Sequence, residues 1–375
     1  MTRPDTLLKE LIALPSVNPA FLPSDDPRAG EKNIAEFLAS VAARSGLDID
    51  FQKVLPNRSN LIVRLAPCAK PKKTILLAPH LDTVGAEASG FNPVRKGTLL
   101  HGRGACDTKG SIAAMLLALC DLAKSKRRPR ETEIVFAGLI DEENAQAGSR
   151  ALANSGFKAD LAIVGEPTRL QIVTAHKGSL WLRLETRGKA AHGARPELGK
   201  NAVHAMARVV DALETDYAAE LKTRRHPLLG SGTINVGTIR GGTQPNIVPA
   251  HCSIRVDRRT LPGETESAVR REILEFLKQR GLKPSFANEK VAPCLPMETD
   301  WRNPLVRQFL RSNGQRKPVG VDYFCDAAVL AEAGIPSVVF GPGDIAQAHT
   351  ADEWISLASV ERAQRMLLRF FQILP

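Results

Sequence analysis

Residues 74–84, TILLAPHLDTV, set a five-residue apolar run against a proline and place His80 and Asp82 immediately beyond it. Thr74–Ala78 has the length and aliphatic content of a strand buried on both faces, and Pro79 ends it. The pattern recurs: the run 133–137 leads into Asp141, Glu142 and Glu143, and the run 161–164 into Gly165, Glu166 and Pro167. Between them, residues 110–122 are apolar on nearly every helical face, as suits a buried crossover helix. Strand, helix and strand in alternation predict an α/β fold, a mixed, largely parallel sheet flanked by helices. In such sheets functional side chains gather past the carboxyl ends of the strands, where each of these acidic clusters falls.

Working outward, residues 5–14 and 31–45 read as helices, and 51–54 and 61–65 as short strands. The character changes after residue 178. Residues 179–187, SLWLRLETR, alternate cleanly and read as a strand with one wet face. A helix over 201–215, strands over 233–240 and 251–257, a helix over 264–278 and a strand over 283–287 follow. This β-α-β-β-α-β order predicts an inserted two-layer α+β domain of about 110 residues, spanning 179–289. The first domain then comprises 1–178 and 290–375. Its return is read as helices over 301–313 and 324–333, a strand over 337–340 and a final helix over 351–371.

A chain of 375 residues, 43% apolar and 24% charged, has the composition of an ordinary two-domain globular protein. The first fifteen residues intersperse charges among apolar positions, unlike a signal peptide. No apolar stretch approaches the roughly 20 residues needed to span a bilayer. A cytoplasmic protein without membrane contact is the expectation. The six cysteines are scattered without a C-x-x-C pair and read as reduced thiols. The net charge of +11 has its densest runs at 124–130 and 222–225. Both stand where a helix gives way to a loop, and neither is interleaved with aromatics, so no nucleic-acid partner is expected.

The polar residues at the strand ends form a chemical inventory. His80 can offer one ring nitrogen to a metal while Asp82, two residues on, holds the other. Asp107 lies in a loop with Gly102, Gly104 and Gly110, free to turn tightly, and its carboxylate can bridge two cations. Glu142 and Glu143 are adjacent carboxylates, costly together unless cations neutralise them. If Glu143 ligates a metal, Glu142 can face water and take its proton. Glu166 is a further acid at a strand end, and His349 follows Gly341-Pro342-Gly343 before a predicted helix. Two histidines with the four acids Asp107, Glu142, Glu143 and Glu166 so placed point to a two-metal hydrolytic site.

The motifs HLDTV at 80–84, GRGACDTKG at 102–110, DEE at 141–143 and GEPT at 165–168 are joined by AHGARP at 191–196 and PNIVP at 245–249. DRRTLPGE at 257–264 and GPGDIAQAHTADE at 341–353 complete the set. Across essentially its whole length the chain resembles the M20 family of metallopeptidases and aminoacylases, in the branch of acetylornithine deacetylase and succinyl-diaminopimelate desuccinylase. The resemblance implies a dizinc centre, in which cobalt can substitute, with Asp107 bridging the metals. His80 and Glu166 would complete one site, Glu143 and His349 the other. Glu142 would be the general base and Asp82 the orienter of His80. His192 would reach the oxyanion from the partner subunit of a homodimer, and Asn246 and Arg259 would contact substrate, Arg258 being a rival for the last role. The insert would serve dimerisation and act as a lid. The implied substrate is a small N-acyl amino acid. Residues 321–327 and 341–349 are closer to the acetylornithine deacetylases, which favours N2-acetyl-L-ornithine and a place in arginine biosynthesis. Succinyl-diaminopimelate, another N-acyl amino acid, a small peptide or a non-catalytic metal-dependent binding role are the alternatives. Thr108, where Met is frequent in the family, and Thr83-Val84-Gly85 depart from its pattern without touching an expected ligand.

Overall fold

The computed structural model describes residues 3–23, 25–287 and 294–375. It divides into two compact units. One holds Met1–Thr174, Glu298–Val319 and Cys325–Pro375, and the other Ala175–Met297 with Gly320–Phe324. The first crossing thus falls a few residues before 178. The boundary expected at 289/290 lies outside the described residues. The short return of 320–324 to the second unit is a feature the sequence reading lacks.

The centre of the first unit is a sheet whose strands include, in spatial order, Asp48–Leu55, Arg58–Leu65, Thr132–Gly138, Lys73–Ala78, Leu161–Val164 and Ser337–Val339. The last four are mutually parallel, with Leu77 opposite Phe136 and Ile163, and Val339 opposite Val164. Helices cover both faces of these strands, which is why Ile75, Leu76, Leu77 and Ala78 are all fully buried and why the sequence there is continuously apolar. Antiparallel pairing appears toward the edges: Asp48–Leu55 forms a hairpin with Arg58–Leu65, which pairs antiparallel with Thr132–Gly138. Helix Gly110–Ala123 buries every residue except Asp121 and Ala123, in the same apolar core as helix Leu357–Phe371. Each fully buried leucine there contributes about 1.5–3 kcal/mol.

The second unit is a four-stranded antiparallel sheet in the order Thr233–Gly241, His251–Thr260, Gly178–Arg187, Ser285–Ala287. Leu180, Leu182 and Leu184 point into a core shared with Val209 of helix Ala202–Ala212 and Ile273 of helix Glu266–Gln279. Trp181, between them in sequence, faces outward and is 57% exposed. The alternation in the sequence is therefore the two faces of this sheet.

Several predicted helices begin later than expected. Asn303 caps Pro304–Ser312, accepting from the N–H groups of Leu305 and Val306, so that helix does not extend back to 301. The helix expected over 324–333 is confined to Ala327–Glu332. The final helix starts at Leu357, because Trp354–Ser356 is a strand paired antiparallel with Leu99–His101. Trp and Ile favour a pleated strand, and Ser356 adopts an extended conformation at the helix entry. Among the described residues no helix is long and apolar enough to cross a membrane.

Candidate metal centre

Three parallel strands lead to His80, to Glu142 and Glu143, and to Glu166, while Asp107 and His349 come from loops. Lys73–Ala78 leads to His80, whose Nε2 lies 3.1 Å from Asp107 Oδ1 and 3.8 Å from Glu166 Oε1. Thr132–Gly138 leads to Glu142 and Glu143, and Leu161–Val164 to Glu166. The other oxygen of Asp107, Oδ2, lies 3.3 Å from His349 Nε2, which is also 3.1 Å from Glu143 Oε2. Asp107 therefore meets one histidine with each oxygen. Ligand atoms of His80, Asp107 and Glu143 all lie within 4.8 Å of one another. His349 has a positive φ of 61° and a half-exposed side chain, and a strand rather than the expected helix follows it.

Asp82 does more than the sequence suggests. The Nδ1 of His80 is 3.0 Å from the Asp82 main-chain carbonyl and 3.5 Å from its carboxylate. The carboxylate itself accepts from the N–H groups of Glu142 and Glu143, each at 3.1 Å, and from Asn18 Nδ2 at 2.7 Å. One buried side chain thus ties the His80 turn to the turn bearing both glutamates. Asn18 also donates to Asp141 Oδ1 at 3.0 Å, and Arg58 pairs with both Asp141 and Glu31.

The electrostatics show an excess of negative charge. Burial, with Glu166, Asp326 and Glu143 nearby, pushes the Glu142 carboxyl well above the usual range. Burial does the same to Glu166, and raises Glu143 less. Burial opposes charging of His80, yet hydrogen bonds to Asp107 and Asp82 prevail and raise it well above an ordinary histidine. Hydrogen bonds to Asp107 and Glu143 lift His349 to about 10. Glu143 Oε1 is buried and has no hydrogen-bond partner. A buried anionic oxygen without a donor, beside imidazole and carboxylate ligands, fits a divalent cation. His80, Asp107 and Glu166 could hold one cation, and Asp107, Glu143 and His349 a second.

His192, Asn246 and Arg259 belong to the second unit. His192 and Asn246 are exposed and adjacent: Gly193 N–H donates to the Asn246 carbonyl at 2.7 Å, and His192 bridges to Ile247. A Cβ at position 193 would stand 2.9 Å from that carbonyl, so the approach requires glycine. His192 Nδ1 accepts from Ala194 N–H at 3.1 Å, which leaves the proton on Nε2 in the neutral ring. Arg259 donates its Nε to Asp257 at 2.9 Å, and among the described residues its terminal nitrogens make no hydrogen bond. Arg258, its rival, is fully buried and bound to Glu264 at 2.7 Å, so it is withdrawn from any ligand.

Residues 76–373 match the family model described as Peptidase family M20/M25/M40. The chain belongs to that family. Its members are metal-dependent hydrolases. Among similar M20 proteins is the acetylornithine deacetylase of Proteus mirabilis strain HI4320, 32% identical over 377 residues that cover 96% of this chain and 94% of that one. The crystal structure of aminopeptidase PepT from Bacillus cereus superposes with a TM-score of 0.77 at 23% identity, covering 99% of this chain and 97% of that one. A dinuclear metal-binding peptidase of the M20 family from Bacillus subtilis gives 0.71 at 13% identity, with 99% and 97% covered. These structural likenesses establish the fold.

The sequence reading of this M20 chain missed Asn18, Arg58, Arg103 and Glu353. Asn18 and Glu353 are buried polar residues whose side-chain partners lie as far as 123 and 250 positions away. Glu353 ends the quoted 341–353 motif, and that was its only signal.

Proposed function

We propose that the protein hydrolyses the amide bond of N-acyl amino acids, with N2-acetyl-L-ornithine its foremost substrate and L-ornithine and acetate the products, a step of arginine biosynthesis. The observation that carries this reading is Asp107, which presents one oxygen to His80 and the other to His349, with Glu143 beside the second. The acetyl-ornithine assignment is supported by a relative of that name at 32% identity and by the motifs over 321–327 and 341–349.

His80, Asp107 and Glu166 would hold one divalent ion, and Asp107, Glu143 and His349 the other. We assign zinc, with cobalt able to replace it, because imidazole and carboxylate suit both. When bound, the ions supply positive charge that acidifies water and polarises the scissile carbonyl. Glu142 takes a proton from the attacking water and delivers it to the departing amine. Its burial, which raises its proton affinity, suits a base that must also give the proton back. Asp82 keeps His80 in one orientation through the ring nitrogen that faces away from Asp107. In the second unit, Asn246 and the terminal nitrogens of Arg259, whose guanidinium lies over the Phe324 ring, are assigned to the substrate, the latter to its carboxylate. His192 of the partner subunit, with its proton on Nε2, is assigned to the oxyanion. A homodimer is part of this proposal. So is a cytoplasmic location, which the six free thiols support.

Release of free amine from a panel of acetyl-, succinyl- and formyl-amino acids and dipeptides, with zinc or cobalt supplied, tests the assignment. The highest kcat/KM is expected for N2-acetyl-L-ornithine. A preference for succinyl-diaminopimelate or for a dipeptide contradicts it.

A further inference from the structure

We infer that Glu353 is a positioning residue of the metal centre: its carboxylate clamps the loop that carries Asp107 to the segment that carries His349. The inference rests on the reading that Asp107 and His349 hold cations. Glu353 is 1% exposed and uses both oxygens. Oε1 accepts from the N–H groups of Cys106 at 2.8 Å and Asp107 at 2.9 Å. Oε2 accepts from the Gly104 N–H at 2.8 Å and from Arg103 Nη1 at 2.7 Å. The Glu353 main-chain carbonyl takes a further N–H, that of Gly102, at 3.0 Å. The second nitrogen of Arg103, Nη2, donates to the carbonyl of Thr350, the residue after His349, at 3.0 Å. Immediately past Glu353, the strand Trp354–Ser356 pairs with Leu99–His101, which leads into the loop.

The need for such a clamp follows from the loop's composition. Gly102 and Gly104 have φ of 151° and 80°, and the backbone between them and Gly110 is irregular, so its N–H groups lack the regular partners of a helix or sheet. Glu353 supplies the missing acceptors from outside. Because it bonds the Asp107 N–H itself, it fixes the peptide from which the bridging carboxylate projects. Because it lies four residues beyond His349, the same bonds fix the second histidine's segment. A carboxylate suits four converging donors, with about four acceptor sites and none to donate. Glutamine would turn an NH2 group toward those donors. Aspartate would keep the charge but fall one methylene short.

Full-length protein stripped of metal by chelator and given cobalt stepwise, followed by visible absorption and calorimetry, tests the inference. Glu353→Gln is expected to bind cobalt about 10–100-fold more weakly than the parent, the range typical of lost partners behind a metal ligand. Glu353→Asp should fall between the two. Leu310→Ala, a core variant on helix Pro304–Ser312, serves as a destabilised control and should keep the parental affinity. Cobalt affinity within about threefold of the parent in a folded Glu353→Gln variant overturns the inference, since the loss expected for it is at least about tenfold. Equal weakening in Leu310→Ala also overturns it, as does failure of both Glu353 variants to fold while Leu310→Ala folds, which marks a purely structural role. A parent that binds no cobalt defeats the metal reading itself, whereas a parent and Glu353→Gln that bind equally defeat only the role of Glu353.

Discussion

Glu142 and Glu143 are neighbours in sequence with opposite expected tasks, and their backbone N–H groups share one acceptor, Asp82. Glu143 sits 3.1 Å from His349 and is spoken for, whereas Glu142 is available as a base. Glu142→Gln is accordingly expected to lower kcat by about 10²–10⁴ while leaving metal content unchanged. Steady-state rates and elemental analysis of the same preparation check this. Loss of metal in that variant would show that Glu142 belongs to the ligand set. A second titratable residue, His176, belongs to the second unit. His176 donates from Nδ1 to the Lys177 carbonyl at 2.9 Å, its Nε2 is buried without a partner, and burial lowers its pKa to about 4. The folded state therefore binds this proton less readily than the unfolded chain, whose histidine titrates near 6.5. Its contribution to stability is complete above about 6.5 and is lost as pH falls toward 4, a change on the order of 3 kcal/mol. Urea unfolding at pH 7 and at pH 4.5 should show a smaller drop for His176→Asn than for the parent. Equal drops would contradict the assignment.

At the scale of elements, the parts of the site legible in sequence were those where a strand stops. Thr74–Ala78, Glu133–Ala137 and Leu161–Val164 announce themselves by unbroken apolar runs, and a charged residue just past such a run is conspicuous. His80, Asp107, Glu143, Glu166 and His349 were all readable that way or through the motifs beside them. The residues that hold those groups were not, because their partners are remote in the chain: Asn18 with Asp82, Arg58 with Glu31 and Asp141, Glu353 with the Gly104–Asp107 backbone. The final helix was misjudged at its start for a related reason. Residues 354–356 are a strand only by virtue of pairing with 99–101, a tertiary fact that overrides local pattern. The loop itself carries a prediction. Gly104 has φ of 80°, and a Cβ there would stand 2.8 Å from Lys109 Cδ and 3.0 Å from Thr83 Cγ2. Gly104→Ala should cost about 1–3 kcal/mol, read from the urea midpoint. An unchanged midpoint would mean that the loop relaxes freely.

At the scale of the molecule, one unit holds every expected metal ligand and the other holds His192, Asn246 and Arg259. The proposed homodimer gives a solution mass twice the 40.6 kDa of the chain, measurable by sedimentation, and a fully active monomer would remove His192 from its proposed role in trans. The excess of +11 is carried in basic runs without a recognition module. What distinguishes a hydrolytic two-metal centre from a buried patch of carboxylates is whether divalent cations bind among His80, Asp107, Glu143, Glu166 and His349. The count of divalent ions bound per chain, measured by elemental analysis after zinc loading and exhaustive dialysis, tests this most directly. The account predicts two ions per chain in the parent and loss of one of them in His349→Ala. A parent that retains none, or a His349→Ala variant that retains both, contradicts it.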